Sequence, residues 1–79
     1  MKEKNIFSVV RNGLYDQYQE SIKSVDVNCR NEYGQNLLQE AISSNRDDIA
    51  VDLVDRGIDV NHQDCQGLTP LHFCAQYLN

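Results

Sequence analysis

The sequence predicts an all-α protein made of stacked helix-turn-helix repeats. Three observations predict it: the chain matches itself at a fixed shift, glycines mark equivalent turns in successive units, and apolar residues recur at helical spacing between those turns. The shift corresponds to a period of about 33 residues, which is typical of stacked helical repeats whose units bury their apolar sides against their neighbours. At 79 residues the chain has room for one core, so we expect a single domain.

The self-match aligns the turn, cap and core positions of two consecutive units. The aligned pairs are residues 26–28 with residues 59–61, which both read Asp-Val-Asn, Gly34 with Gly67, and Leu38 with Leu71. The N-terminal segment fits the same frame at a shift that is shorter by one. The expected boundaries within the domain 1–79 are about 4–25 for repeat 1, about 26–58 for repeat 2 and about 59–79 for a partial repeat 3.

The local signals of repeat 2 predict a turn followed by a short first helix. Gly34 permits a tight turn, and the side chain of Asn36 can cap the helix that follows. Leu38, Ala41 and Ile42 recur at spacings of three and four, which predicts one narrow apolar face. We expect this helix to end near residue 45, because Asn tolerates the left-handed conformation of a helix C-terminus.

A second helix is expected directly afterwards, capped by Asp47 or Asp48 and ended by Gly57. Its apolar stripe consists of Ile49, Ala50, Leu53 and Val54. The acidic residues Asp48, Asp52 and Asp55 occupy another face. Their helical spacing lacks the pattern of a calcium loop, so we interpret them as a solvated face rather than a cation site.

Two motifs resemble the ankyrin repeat family. Residues 67–75, Gly-Leu-Thr-Pro-Leu-His-Phe-Cys-Ala, look like its glycine turn and Thr-Pro-Leu-His signature, and residues 54–61 resemble its second-helix end and connection. The resemblance is good over residues 26–75 and weaker over residues 5–25. It implies that His72 hydrogen-bonds with Thr69 and the nearby loop backbone. The residues with a structural role in the motif are Gly34, Gly67, Thr69, Pro70, Leu71 and His72.

Repeat 2 departs from the family motif at the start of its first helix. It reads Asn36-Leu37-Leu38-Gln39, which keeps the cap and the core leucine but lacks the proline and the histidine. We therefore expect the same helix with a less rigid start.

The resemblance implies a concave partner-binding surface, lined by the turn fingers and the first helices of the repeats. The exposed positions that match it are Glu32, Tyr33, Gln35, Ser43, Ser44, Cys65, Gln66, Leu68, Gln76 and Tyr77, with Arg11 and Asn12 in the first repeat. Tyrosine is favoured at the centres of protein interfaces. We therefore expect Tyr33 and Tyr77 to contribute most to binding.

Catalysis and cofactor binding are not expected. His62, Cys65, His72 and Cys74 are all possible zinc ligands, but their spacing does not match a zinc site. Cys65 is the candidate nucleophile, with His62 or His72 as its possible base, and no oxyanion-stabilising loop is evident beside it. We predict no enzyme activity, no metal and no cofactor.

The charge of the chain disfavours two classes of partner. Of the 12 acidic residues, seven fall in residues 33–79 against two basic ones, and the net charge is -5. Nucleic acid and an anionic membrane surface are therefore not expected as partners. Three cysteines without paired spacing and the absence of a long apolar run predict reduced thiols and a cytoplasmic location.

The expected function is a protein-protein interaction module. The alternatives are an inhibitor or immunity-type protein that occludes a toxin or enzyme, or a fragment of a longer ankyrin scaffold that self-associates. The last possibility arises because Leu71, Cys74, Ala75 and Leu78 would form an open apolar C-terminal end with no second helix to cover them. Such an end is normally capped in a stable repeat stack.

Overall fold

The computed structural model describes residues 5–77, with side chains for residues 5–76. Its helices are α1 (Ile6–Arg11), α2 (Tyr15–Ile22), α3 (Leu37–Ser43), α4 (Asp47–Asp55) and α5 (Pro70–Tyr77). Within this described part there is no strand, and the one β-type pairing is an isolated antiparallel bridge between Arg30 and Asn36. The predicted all-α class is confirmed.

The helices form two layers. The first helices of the units pack side by side in the order α1, α3, α5, while α2 packs on α1 and α4, and α4 packs on α3. Two turn segments connect one unit to the next. We call residues 29–36 finger 1 and residues 62–69 finger 2; they are equivalent in the repeat alignment.

The central helix α3 differs from its prediction. All of residues 37–42 are buried, including the polar Gln39 and Glu40, because α1, α4 and α5 cover it from three sides. The expected single narrow apolar face is therefore wrong for this helix. Glu40 keeps polar partners in its buried position, since its carboxylate lies 3.4 Å from the Arg11 guanidinium and accepts a 2.9 Å hydrogen bond from Ser44 Oγ.

The repeat is reproduced in the hydrogen bonds of the two fingers. The side-chain oxygen of Asn31 accepts from the backbone N–H groups two and four residues further on, at 2.9 and 3.0 Å. Asp64 does the same at 2.9 Å in each case. Gly34 and Gly67 follow with φ values of 76° and 82°. The two fingers therefore have the same internal geometry, as the repeat in the sequence predicts.

The C-terminal ends of α3 and α4 agree with the sequence, and the N-terminal end of α4 differs. Asn45 has φ 61° after α3 and Gly57 has φ 85° after α4, so both predicted C-terminal ends are confirmed. The predicted cap of α4 is wrong: Arg46 holds the N-cap position without a side-chain cap bond. Asp47 and Asp48 lie inside the first turn instead, where their charge still favours the positive end of the helix.

Candidate protein-binding surface

The two fingers are joined edge to edge. The Nε2 atom of His62 lies 2.6 Å from the carbonyl oxygen of Gly34, and the Cys65 N–H donates to the Tyr33 carbonyl at 3.1 Å. A Cβ atom on Gly34 would lie 2.8 Å from the Cys65 nitrogen. Glycine is therefore required at this position both for its backbone conformation and for the close approach of finger 2.

Side chains at the start of α3 hydrogen-bond to the backbone of finger 2 and of the segment that precedes it. Asn36 and Gln39 form a reciprocal capping box, each side-chain oxygen accepting from the other's backbone N–H at 3.0 and 2.9 Å. Gln39 Nε2 also donates to the Leu68 carbonyl at 2.7 Å, and Asn36 Nδ2 donates to the Asp59 carbonyl at 3.0 Å. Gln39 thus links the start of α3 to finger 2, and the expected less rigid start of this helix stays a prediction.

In repeat 3 the motif histidine has the expected role. The Nδ1 atom of His72 accepts from the Thr69 N–H at 3.0 Å and lies 2.8 Å from the Thr69 hydroxyl. Pro70 begins α5, where its missing N–H leaves no hydrogen bond unmade. The turn is thereby fixed against the first turn of α5.

A cleft of about 510 Å³ lies between α1 and finger 1. Its lining includes Arg30, Glu32 and Tyr33 of finger 1 and Arg11 of α1, all of them exposed. Arg11 is paired with Glu40, whereas Arg30 forms no ion pair with any described residue. Arg30 was missed by sequence reasoning because nothing in its neighbourhood marks it as part of a cleft; only the packing of finger 1 against α1 does so.

A family model described as ankyrin repeats (3 copies) matches residues 6–79. The chain belongs to the ankyrin repeat family. Ankyrin repeats are protein-protein interaction modules and are generally not enzymes.

Among curated proteins, this ankyrin repeat chain is similar to NF-kappa-B inhibitor zeta of Mus musculus, Homo sapiens and Bos taurus. In each case 49% of 43 aligned residues are identical. The alignment covers 54% of this chain but 6% of the relative. The similarity thus concerns one short part of much longer proteins.

Seven of the contact positions expected for an ankyrin surface are exposed. Tyr33 is the one large hydrophobic residue among them, with 59% of its surface accessible. The others are Arg11, Asn12, Glu32, Cys65, Gln66 and Gln76. The side chain of Tyr77 lies outside the described residues, so its expected contact role stays a prediction.

Four of the expected contact positions are half-buried and hydrogen-bonded or packed within the chain. Gln35 accepts from Asn31, and both Ser43 and Ser44 donate to Glu40. Leu68 packs against the core. The expectation that these side chains are free on the ankyrin surface is therefore wrong, because the finger and the last turn of α3 use them to hold their own shape.

The candidate metal and nucleophile residues are not brought together as a site. His62 contacts the Gly34 carbonyl and His72 contacts Thr69, so neither imidazole is directed at Cys65. Among the described residues no group of three or more His, Cys, Asp or Glu is placed to hold a metal ion. Burial raises the pKa of the Cys29 thiol, which lowers its nucleophilic thiolate fraction. None of the described helices is long and apolar enough to span a membrane.

Proposed function

We propose that this chain is a non-catalytic binding module whose protein partner docks on the fingers and on the first helices α1, α3 and α5. The observation that carries the proposal is the position of Tyr33. It stands exposed on finger 1, and the finger beneath it is held by Asn31 and by finger 2. An aromatic anchor on a fixed backbone loses little entropy on binding.

The cleft beside Tyr33 supports a partner with mixed polarity. Arg30 has no described ion partner, so it is free to pair with a carboxylate, while Glu32 on the same finger favours a cation. The partner segment that fits this rim has an apolar residue against Tyr33 and charges of both signs beside it. The free thiols of Cys29, Cys65 and Cys74 support the proposed location in the reducing cytoplasm.

The test is a binding measurement with a matched pair of variants. A partner is captured from the native source, and its affinity is measured by calorimetry for the wild-type chain, for Tyr33→Ala and for Asp16→Ala. Asp16 is exposed on α2, away from the fingers. We expect Tyr33→Ala to weaken binding at least fivefold, the effect of about 1 kcal/mol. Asp16→Ala is expected to bind like the wild type, and both variants are expected to unfold at nearly the same temperature.

Equal affinity of the wild type and Tyr33→Ala would contradict the proposed surface. The same experiment with Tyr77→Ala tests the second tyrosine. A loss of affinity in the Asp16→Ala variant would instead place the interface on the α2 side.

A second candidate function is inhibition of the bound protein. It is supported by the name of the relatives, which describes inhibitors of NF-kappa-B, and by the acidic residues 33–79, which suit a basic partner. NF-kappa-B is the first partner to test, followed by a captured protein with a measurable activity. A complex in which the partner keeps full activity would exclude inhibition and leave the binding module.

A further inference from the structure

The turn between α1 and α2 contains the one Asn-Gly pair of the sequence, Asn12–Gly13. Asn12 is exposed and directly follows α1, and Gly13 is half-buried with φ 68°. Glycine has no Cβ atom, so its backbone nitrogen can approach the carboxamide of a preceding asparagine closely. Such an approach begins the deamidation of asparagine. Every other asparagine within residues 5–77 is followed by a residue with a Cβ atom.

Deamidation at this pair needs water and a base, and no oxidant or reductant. The Gly13 nitrogen gives its proton to a solvent base and forms a bond to Cγ of Asn12. The bond between Cγ and Nδ2 then breaks, and the leaving group takes a proton from water and departs as ammonia. Water opens the resulting succinimide at either carbonyl carbon, which yields aspartate or isoaspartate. Each product carries a negative charge that the carboxamide lacks.

In the folded chain this turn is closed by hydrogen bonds that oppose the attack. The Gly13 N–H donates to the Val10 carbonyl at 3.0 Å, and the Leu14 N–H donates to the Val9 carbonyl at 3.2 Å. Asn12 has ψ -1°, so the Gly13 nitrogen is eclipsed with the backbone nitrogen of Asn12 instead of with its Cβ atom. Because reacting atoms must meet in an aligned geometry, the peptide group has to rotate first. The reaction therefore requires local opening of the turn.

A side chain from repeat 2 covers the same turn. The Nε atom of Arg46 donates to the Arg11 carbonyl at 3.1 Å. The Arg46 guanidinium lies against Gly13, since a Cβ atom built there would be 2.9 Å from Cζ of Arg46. The backbone N–H of Arg46 is itself bonded to the Ala41 carbonyl at 2.8 Å. Rotation of the Gly13 peptide group thus has to displace a side chain that is anchored in the neighbouring repeat.

The charge of Arg46 acts in the opposite direction, because a cation favours the deprotonated form of a nearby group. The Gly13 nitrogen becomes free to lose its proton only after the bond to Val10 is broken, however, and by then the guanidinium has been displaced. The covering effect of Arg46 therefore outweighs the effect of its charge.

We propose that Asn12 is a deamidation site and that Arg46 gates the reaction by keeping the turn between α1 and α2 closed. Loss of the Arg46 contact opens the turn and speeds the conversion. The isoaspartate product has a longer backbone, so the hydrogen bonds of Gly13 and Leu14 do not re-form and the contact between repeats 1 and 2 is weakened. The reaction belongs to the chain itself and does not depend on the function proposed for the Tyr33 surface.

The first measurement compares the whole chain with a free peptide of residues 8–16, Ser-Val-Val-Arg-Asn-Gly-Leu-Tyr-Asp. Both are incubated at the same mildly alkaline pH, and conversion is followed by mass spectrometry of proteolytic fragments. We expect Asn12 to convert at least about tenfold more slowly in the chain, which corresponds to about 1.4 kcal/mol for opening the turn. Asn45 serves as the internal reference, because it has the same positive φ but is followed by arginine. It is expected to stay unconverted.

The second measurement tests the gate. Arg46→Ala is expected to speed conversion of Asn12 at least threefold over the wild type, with the peptide rate as the upper limit. The control is Lys23→Ala, which removes an exposed cation at the other end of α2 and is expected to change the rate less than twofold. Circular dichroism melting checks that both variants are folded. Independently of any variant, hydrogen exchange of the Gly13 amide and conversion of Asn12 in the wild type are expected to rise together in dilute urea.

The third measurement concerns the product. The isoaspartate form, separated by ion-exchange chromatography, is expected to melt at a lower temperature than the unconverted chain. Asn12→Asp adds the same charge without lengthening the backbone, so it is expected to melt closer to the wild type.

Four results would overturn the proposal. Asn12 that converts in neither the chain nor the peptide is not a site, and equal rates in the two show that the turn does not protect it. A rate in Arg46→Ala that is equal to or below the wild-type rate, or conversion that does not follow Gly13 exchange in urea, removes the gate.

Discussion

Leu38 and Leu71 hold equivalent positions in consecutive repeats, yet they differ in exposure. Only 5% of the surface of Leu38 is accessible, against 76% of the surface of Leu71. Ile22 and Val54 differ in the same direction, at 4% and 49%. In both pairs the better-covered residue lies against neighbouring helices, and the exposed one faces a groove between α4 and α5. Equivalent sequence positions thus form the same local structure, but the neighbour decides how much each residue stabilises the fold.

The largest expected difference separates Leu38→Ala from Leu71→Ala. Removing a buried leucine side chain costs about 2–5 kcal/mol of unfolding free energy, because transfer energy is lost and a cavity remains. At the exposed Leu71 we expect a cost below about 0.5 kcal/mol. Urea denaturation followed by circular dichroism gives both values. Similar costs for the two variants would show that the groove is covered in solution.

The glycines of the fingers provide a second matched pair. Gly34 and Gly67 both have positive φ, so alanine is strained at each by about 1–2 kcal/mol. Only at Gly34 does the new Cβ meet another finger, through the Cys65 nitrogen. We expect Gly34→Ala to cost about 1–2 kcal/mol more than Gly67→Ala. If thermal melting gives equal losses, the fingers are not in contact in solution.

The covered side of α4 depends on a hydrogen bond between helices. Tyr18 is fully buried, and its hydroxyl donates to Asp52 at 2.5 Å, while Arg56 donates to the same oxygen at 2.6 Å. Tyr18→Phe is expected to cost about 1–3 kcal/mol, since it removes a bond to a charged acceptor. Tyr15→Phe is the control, because among the described residues the Tyr15 hydroxyl bonds only Gln19, which belongs to the same helix. An equal effect of both changes would rule out a special role of the α2–α4 bond.

The smallest expected effect is the pH dependence of this same pair. The Tyr18 hydroxyl, and then Arg56, hold the pKa of Asp52 below its usual value. The stability from ionised Asp52 is therefore present above the unfolded pKa of about 3.9, and it is lost as pH falls through the lower folded pKa. The urea concentration at the unfolding midpoint is measured for the wild type and for Asp52→Asn between pH 5 and pH 2.5. We expect the difference between the two midpoints to become smaller as the pH falls.

At alkaline pH the stability depends on Tyr18, the hydrogen-bond partner of Asp52. Burial first, and then the bond to Asp52 and its charge, raise the pKa of Tyr18 above its usual value. The stability of the protonated hydroxyl is present below the unfolded pKa of about 10 and is lost as pH rises above it. Tyr18→Phe is expected to lack this loss. A wild-type profile that runs parallel to the variant above pH 10 would contradict the buried bond.

Several features were predictable from the sequence because they depend on neighbouring residues. The repeat period, the Asn36 cap, the positive φ of Asn45 and the bond between Thr69 and His72 are all local. The features that were missed depend on residues far apart in the chain. One example is the bond from Tyr18 to Asp52, since the sequence led us to expect that Asp52 was one of several solvated acidic residues. Another is the hydrogen bonding of Gln39 to finger 2.

By itself the sequence determined the repeats, the helices with most of their ends, and the family. These follow from periodicity, glycine conformation and capping, which act within a few residues. Only the tertiary structure decided which side of each helix is covered, that residues 37–42 of α3 are all buried, and that Arg30 meets a cleft. It also decided that Leu71 is exposed while its equivalent Leu38 is buried. The reason is that burial and charge pairing depend on which elements pack together, and a pattern that repeats along the chain does not distinguish a covered unit from an open one.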